Sequence, residues 1–145
     1  MPPMLSKAEV QRLLSEVSLF SGASKKELGE IASAIKVVDH SAGDVVAREG
    51  ERGLGFFLLA DGTADVTIGG QRKATLKRGD FFGEISLLDE GPRSATVTAA
   101  TPLTLLGLTA WAFKDLVERH ASIGLKMLEA VAARVRSATG DASTL

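Results

Sequence analysis

The amino-acid sequence predicts a mainly β domain flanked by α-helices at both ends, and three observations carry that prediction. Short apolar runs with β-type alternation recur between positions 36 and 108, separated by glycine-centred turns. Ahead of them, Ser6 with Glu9 and Ser24 with Glu27 have the spacing of a capping box at the start of a helix. Behind them, Ile123 to Ala138 returns to a helical period. Many short strands at regular spacing argue for a closed or double-sheet β architecture.

Ser6 to Val17 forms the first expected helix, with Val10, Leu13, Leu14 and Val17 on one face. Leu19 and Phe20 make an apolar anchor, and Leu28, Ile31, Ala32 and Ile35 recur on a second helix whose lysines stay exposed. The strand-type runs are Lys36–His40, Asp44–Arg48, Phe56–Ala60, Ala64–Ile68, Arg72–Leu76, Thr96–Ala100 and Leu103–Leu108. Turn signals fall at Gly43-Asp44, Gly50-Glu51, Asp61-Gly62, Gly69-Gly70 and Gly79-Asp80. Gly69-Gly70 is the best two-residue hairpin, because a type I′ turn needs positive φ at both central positions.

Trp111 to Arg119 reads as a helix with Trp111, Phe113 and Leu116 as its buried contacts, and His120-Ala121-Ser122 interrupts it. Ser122 offers a cap for the helix that follows. Gly124, Leu128, Val131, Val135 and Ala138 repeat there in a 4-3-4-3 rhythm, so one face is meant to be buried, against the chain's own β domain or against a partner helix. The small, polar tail from 140 to 145 is expected to be disordered. The organisation is one domain: an N-terminal helical segment 1–35, a β region 36–110, C-terminal helices 111–139 and the tail.

A chain of 145 residues fits one domain. With 17 basic and 18 acidic residues it has no global pull toward nucleic acid or anionic membrane. Cysteine is absent, which excludes disulfides, thiolate metal sites and a cysteine nucleophile. The N-terminus lacks a basic region followed by an apolar core, and the longest apolar stretch, Leu103 to Phe113, is too short for a membrane helix. A soluble, cytoplasmic protein is the expectation. His40 and His120 lie far apart, so no metal site is expected, and no G-x-S-x-G elbow or nucleophile–base set points to an enzyme.

The chemistry concentrates between Phe81 and Val97. Gly83-Glu84 leaves a strand-like segment, and Ile85 to Leu88 is long enough for about one helical turn, whose free N–H groups attract an anion. Gly91-Pro92 returns the chain to Arg93, whose guanidinium can grip two oxygens of a phosphate, with the Ser94 hydroxyl beside it. Glu84 would repel a phosphate it touched, so it suits a neutral hydroxyl such as that of a ribose. An anion grip beside a hydroxyl acceptor describes a sugar phosphate.

The run Phe82-Gly83-Glu84-Ile85-Ser86-Leu87-Leu88, followed by Pro92-Arg93-Ser94-Ala95-Thr96-Val97, resembles the phosphate-binding cassette of the cyclic nucleotide-binding domain family. The resemblance implies an eight-stranded jelly-roll β-barrel with N-terminal helices and a C-terminal helical lid. It extends over the β region, because Gly43-Asp44, Asp61-Gly62 and Gly79-Asp80 fall where that fold turns. It also implies that Glu84 takes the ribose 2′-hydroxyl, Arg93 pairs with the cyclic phosphate, and Ser94 completes the cradle with the backbone around Gly83, Ile85 and Ser86.

Val66 and Leu76 look inward by strand alternation, and the resemblance sets them beside the sugar and base; plain core packing explains them equally. Arg134 resembles a helix arginine that reaches toward the cassette glutamate in some relatives. Ala138 and Thr139 stand where bacterial activators place two hydroxyls against adenine, and only Thr139 keeps one. These three are the lid candidates. Thr96 is read as a strand residue.

The expected ligand is cAMP, with no cofactor. cGMP stays open, because cGMP-selective relatives place a threonine where Ser94 stands. The expected function is a stand-alone regulatory module that couples the ligand to repositioning of the C-terminal helices. A homodimer through 123–138 and an unidentified effector protein are the expected partners, without direct nucleic acid or membrane binding. The alternatives are a protein-interaction module with a ligand-independent barrel, and the sensor of a transcription regulator whose DNA-reading helices lie outside this chain.

Overall fold

The computed structural model describes residues 5–52, 55–83 and 91–139, the side chains of residues 18, 134 and 137–139 excepted. Helices α1 (Lys7–Ser15) and α2 (Lys25–Ala34) start at the two capping boxes. In α2 the Glu27 N–H donates to Ser24 Oγ at 3.1 Å, and the Ser24 N–H donates to Glu27 Oε1 at 2.8 Å. Two otherwise orphaned backbone donors are thereby satisfied at each start. Between the helices, a single 3-10 turn, Ser18–Phe20, buries Leu19 and Phe20.

Eight strands follow: β1 (Lys36–His40), β2 (Val45–Ala47), β3 (Gly55–Asp61), β4 (Ala64–Ile68), β5 (Gln71–Leu76), β6 (Phe81–Phe82), β7 (Thr96–Ala99) and β8 (Leu103–Thr109). They form two antiparallel four-stranded sheets, ordered β1-β8-β3-β6 and β2-β7-β4-β5. The chain is thus mainly β, with helices at both ends. The sheets are not closed into a barrel: among the described residues no strand of one pairs with a strand of the other. Two of the outer strands, β6 and β2, have two and three residues, too few N–H and C=O groups to carry a ladder across.

Strands β3 and β8 explain why the first sheet is central. Leu58 pairs with Leu106 and Leu59 with Leu105, and successive side chains point to opposite faces. Leu58 and Leu106 pack under the helices; Leu59 and Leu105 pack against the second sheet. A strand buried on both faces must be apolar at consecutive positions, as Phe56–Ala60 and Leu103–Leu108 are. The second sheet has a wet face, and β5 is exposed at every position but Leu76. The β4–β5 hairpin turns on Gly69 and Gly70 at φ +58° and +81°, as expected.

Helix α3 (Ala110–Arg119) begins at Thr109, whose Oγ1 accepts the Ala112 N–H at 3.2 Å. Phe113 stacks on Phe56 at 4.9 Å and Leu116 is buried, but Trp111 is 75% exposed, against expectation. Two helical positions are about 200° of rotation, so Phe113 and Trp111 cannot share a face. The chain breaks at His120, and α4 (Ala121–Thr139) starts one residue before Ser122, which is therefore not its cap. His120 is braced by α2, its Nδ1 lying 2.6 Å from Glu27 Oε2.

The expected stripe on α4 divides. Ile123 and Met127 are buried, with Ala130 and Val131 packed beside them, whereas Leu125, Leu128 and Val135 are exposed. The face seated on the domain is thus shifted around the helix from the one predicted. The side chain of Ala138 and the tail from 140 lie outside the described residues.

Candidate functional site

Gly83 ends β6 with φ +97°, a conformation that strains any residue with a Cβ. A Cβ there would also lie 2.5 Å from the Gly55 carbonyl oxygen and 3.3 Å from Arg93 Nη1. Only a hydrogen fits, and the close approach brings β6, β3 and Arg93 together. Gly83 and Arg93, selected from the sequence, are therefore neighbours in space.

The Arg93 backbone is fixed by the turn after β2. Its N–H donates to Glu51 O at 2.7 Å, and its carbonyl accepts the Gly50 N–H at 2.8 Å. Arg52 and Pro92 form a β-bridge beside these bonds. The same turn is tied to the second sheet: the Glu49 N–H donates to Thr96 Oγ1 at 3.0 Å, and Glu49 Oε1 accepts the Gly69 N–H at 3.0 Å. Thr96 is a strand residue of β7, as expected, and its hydroxyl ties that turn.

The Arg93 side chain is half-buried, with its guanidinium carbon 6.0 Å from the centre of the Phe57 ring. Burial pulls the guanidinium below the ordinary arginine value, because removing water disfavours the charged form. Among the described residues no carboxylate forms an ion pair with it. A partly desolvated cation with in-plane donors is suited to receive an anion.

Ser94 is exposed beside Arg93. Val66 and Leu76 both belong to the core between the sheets, Val66 partly buried and Leu76 9% exposed. Glu84, Ile85 and Ser86 lie outside the described residues, as do the side chains of Arg134, Ala138 and Thr139. The sequence reading missed Phe57 and the Glu49–Arg52 turn. The first looked like one apolar position in a strand, and the second carried only the Gly50-Glu51 signal. Among the described residues no three His, Cys, Asp or Glu side chains are grouped to hold a metal ion. No described helix is long and apolar enough to cross a membrane.

Residues 37–120, more than half of the chain, match the family described as cyclic nucleotide-binding domain. The cAMP-dependent protein kinase regulatory subunit of Schizosaccharomyces pombe is 42% identical over 96 residues, covering 66% of this chain and 23% of that protein. Among solved structures, cAMP-bound PfPKA-R superposes with a TM-score of 0.80 at 28% identity, over 95% of this chain and 49% of the other. The Thermus thermophilus catabolite activator protein gives a TM-score of 0.75 at 31% identity, over 83% of this chain and 59% of the other.

The chain belongs to the cyclic nucleotide-binding domain family. It spans about a quarter of that kinase regulatory subunit, about half of the PfPKA-R chain and about three-fifths of the catabolite activator chain.

Proposed function

We propose that this domain binds cAMP between Gly83 and Arg93 and acts as a regulatory element. The observation that carries the reading is the half-buried Arg93 guanidinium, fixed at its backbone by Gly50 and Glu51 and set against Gly83 where β6 closely approaches β3. A cyclic phosphate has one negative charge for that one arginine. Glu84 then accepts the ribose 2′-hydroxyl, Ser94 and the backbone of Ile85 and Ser86 complete the cradle, and Val66 and Leu76 offer apolar walls. The cAMP bound to the structural relative PfPKA-R supports the choice of base. The strand orders of the two sheets are read as the halves of a jelly roll.

Ligand binding then shifts α3 and α4 between two positions through its different affinity for each, with Arg134, Ala138 and Thr139 as the lid candidates. The exposed Leu125, Leu128 and Val135 give α4 a surface for a second copy of the chain or for an effector such as a kinase. No nucleic acid contact and no catalysis are assigned to this domain. The likeness to the catabolite activator supports a second reading, the sensor of a transcription regulator.

The test is calorimetric titration with cAMP, cGMP and 2′-deoxy-cAMP, with fluorescence of Trp111, the chain's one tryptophan, followed in parallel. The reading expects cAMP to bind more tightly than cGMP, the 2′-deoxy analogue to lose affinity, and the exposed Trp111 on α3 to change emission at saturation. No heat with cAMP refutes it. Binding without any change at Trp111 refutes the movement of α3.

A further inference from the structure

Phe57 occupies a slot that is built for its ring. On β3 it is paired with Phe82 of β6 on one side and Gly107 of β8 on the other. The Phe82 ring stacks on it at 5.3 Å and 25°. A Cβ on Gly107 would lie 3.1 Å from Phe57 Cε1, and one on Gly55 would lie 3.4 Å from Cζ. Two glycines therefore make room for the phenyl group, and Phe82 limits how far it can swing. The Arg93 guanidinium lies over this held ring, 6.0 Å from its centre.

We propose that Phe57 is the positioning residue for Arg93, and hence a determinant of affinity for the anionic part of the ligand. The inference rests on Arg93 taking the phosphate. A guanidinium has two flat faces and a fork of donors in its plane. An aromatic ring attracts the cation through a face while leaving the N–H fork free. A carboxylate partner would instead occupy those donors and cancel the charge that the phosphate needs. The ring restricts the arginine's rotamers before the ligand arrives, so less ordering remains to be done on binding. The side chain sits outside the cassette stretch, and its part is not legible from the residues around Arg93.

Phe57→Leu is expected to weaken cAMP binding about 2- to 30-fold, the range of a cation–π contact from exposed to desolvated surroundings. A leucine can also repack the slot, so the decisive experiment keeps the shape. Mono-, di- and trifluorinated phenylalanine at position 57 progressively reduce the negative potential of the ring face. The dissociation constant for cAMP is expected to rise in step with fluorination while thermal stability stays level. In an Arg93→Gln background, where the cation is gone, the same series is expected to be flat.

A flat series in the wild-type background, with Arg93→Gln still weakening cAMP, overturns the role of Phe57 and leaves the phosphate at Arg93. Wild-type protein that gives no heat with cAMP, or that binds equally well with Arg93→Gln, overturns both. An equal slope in the two backgrounds shows that the ring acts on packing, and that too overturns the proposal.

Discussion

Gly83→Ala is expected to damage the site through two separable effects, and a second glycine allows them to be told apart. Gly79 has φ +93° and Gly83 φ +97°, so alanine meets nearly the same backbone strain at both, about 1–3 kcal/mol. Around Gly79 a Cβ would find nothing within 4 Å, whereas at Gly83 it would fall 2.5 Å from the Gly55 carbonyl oxygen. No backbone atom can accept that distance, so β6 must move from β3 at a further cost of about 1–3 kcal/mol. Urea unfolding should therefore show Gly79→Ala less stable than wild type by roughly 1–3 kcal/mol, and Gly83→Ala by roughly 2–6 kcal/mol. The added methyl would also lie 3.3 Å from Arg93 Nη1 and crowd the guanidinium, so cAMP affinity should fall for Gly83→Ala and hold for Gly79→Ala. Equal stability and equal affinity in the two variants would refute the close approach as the reason for glycine at this position.

Other perturbations test the frame around the site. Leu106 is 0% exposed between the first sheet and the helices, so Leu106→Ala should cost about 2–5 kcal/mol in urea unfolding. The Arg78–Glu16 bridge has side chains 58% and 53% exposed, and a double-mutant cycle should give a coupling below about 1 kcal/mol. Glu9 and Glu27 are held below their ordinary carboxylate value, first by hydrogen bonds from the Ser6 and Ser24 backbones and next by those serine side chains. A carboxyl whose folded value is depressed stabilises above its unfolded value of 4.5 and loses that contribution as pH falls through the folded value. Melting temperature should drop as pH falls below that value, and Glu9→Gln with Glu27→Gln should flatten the drop. Leu128→Asp, on the exposed side of α4, should change stability by less than about 0.5 kcal/mol and should alter sedimentation if α4 meets a second copy.

The elements were legible where one local rule decided them. Both capping boxes, the Gly69-Gly70 hairpin and the runs on β1, β3, β4 and β8 follow from residue pattern alone. Strand β6 was legible only as a strand-like segment ahead of Gly83, because two residues show no alternation, and its pairing with β3 depends on partners far away in sequence. Trp111 and the α4 stripe misled for another reason. A helical wheel identifies apolar faces, but the neighbouring elements decide which of two candidate faces is covered. Val131 packs inward beside Ala130, so Leu128 and Val135 remain outside. At the candidate site, Arg93 was singled out for its chemistry and Gly83 through the family resemblance, and the two lie side by side. The Gly50–Glu51 clamp and the Phe57 ring were not singled out, because backbone bonds and a stacked cation leave no mark on composition.

Titration of cAMP into the wild-type domain and into Arg93→Ala tests the assignment of the phosphate most directly. Removing one partner of a charge pair that is buried on binding should cost about 2–5 kcal/mol, so the variant should bind at least about 30-fold more weakly at unchanged stability. Equal affinity in the two proteins would mean that the phosphate is held elsewhere and that the half-buried guanidinium has another purpose.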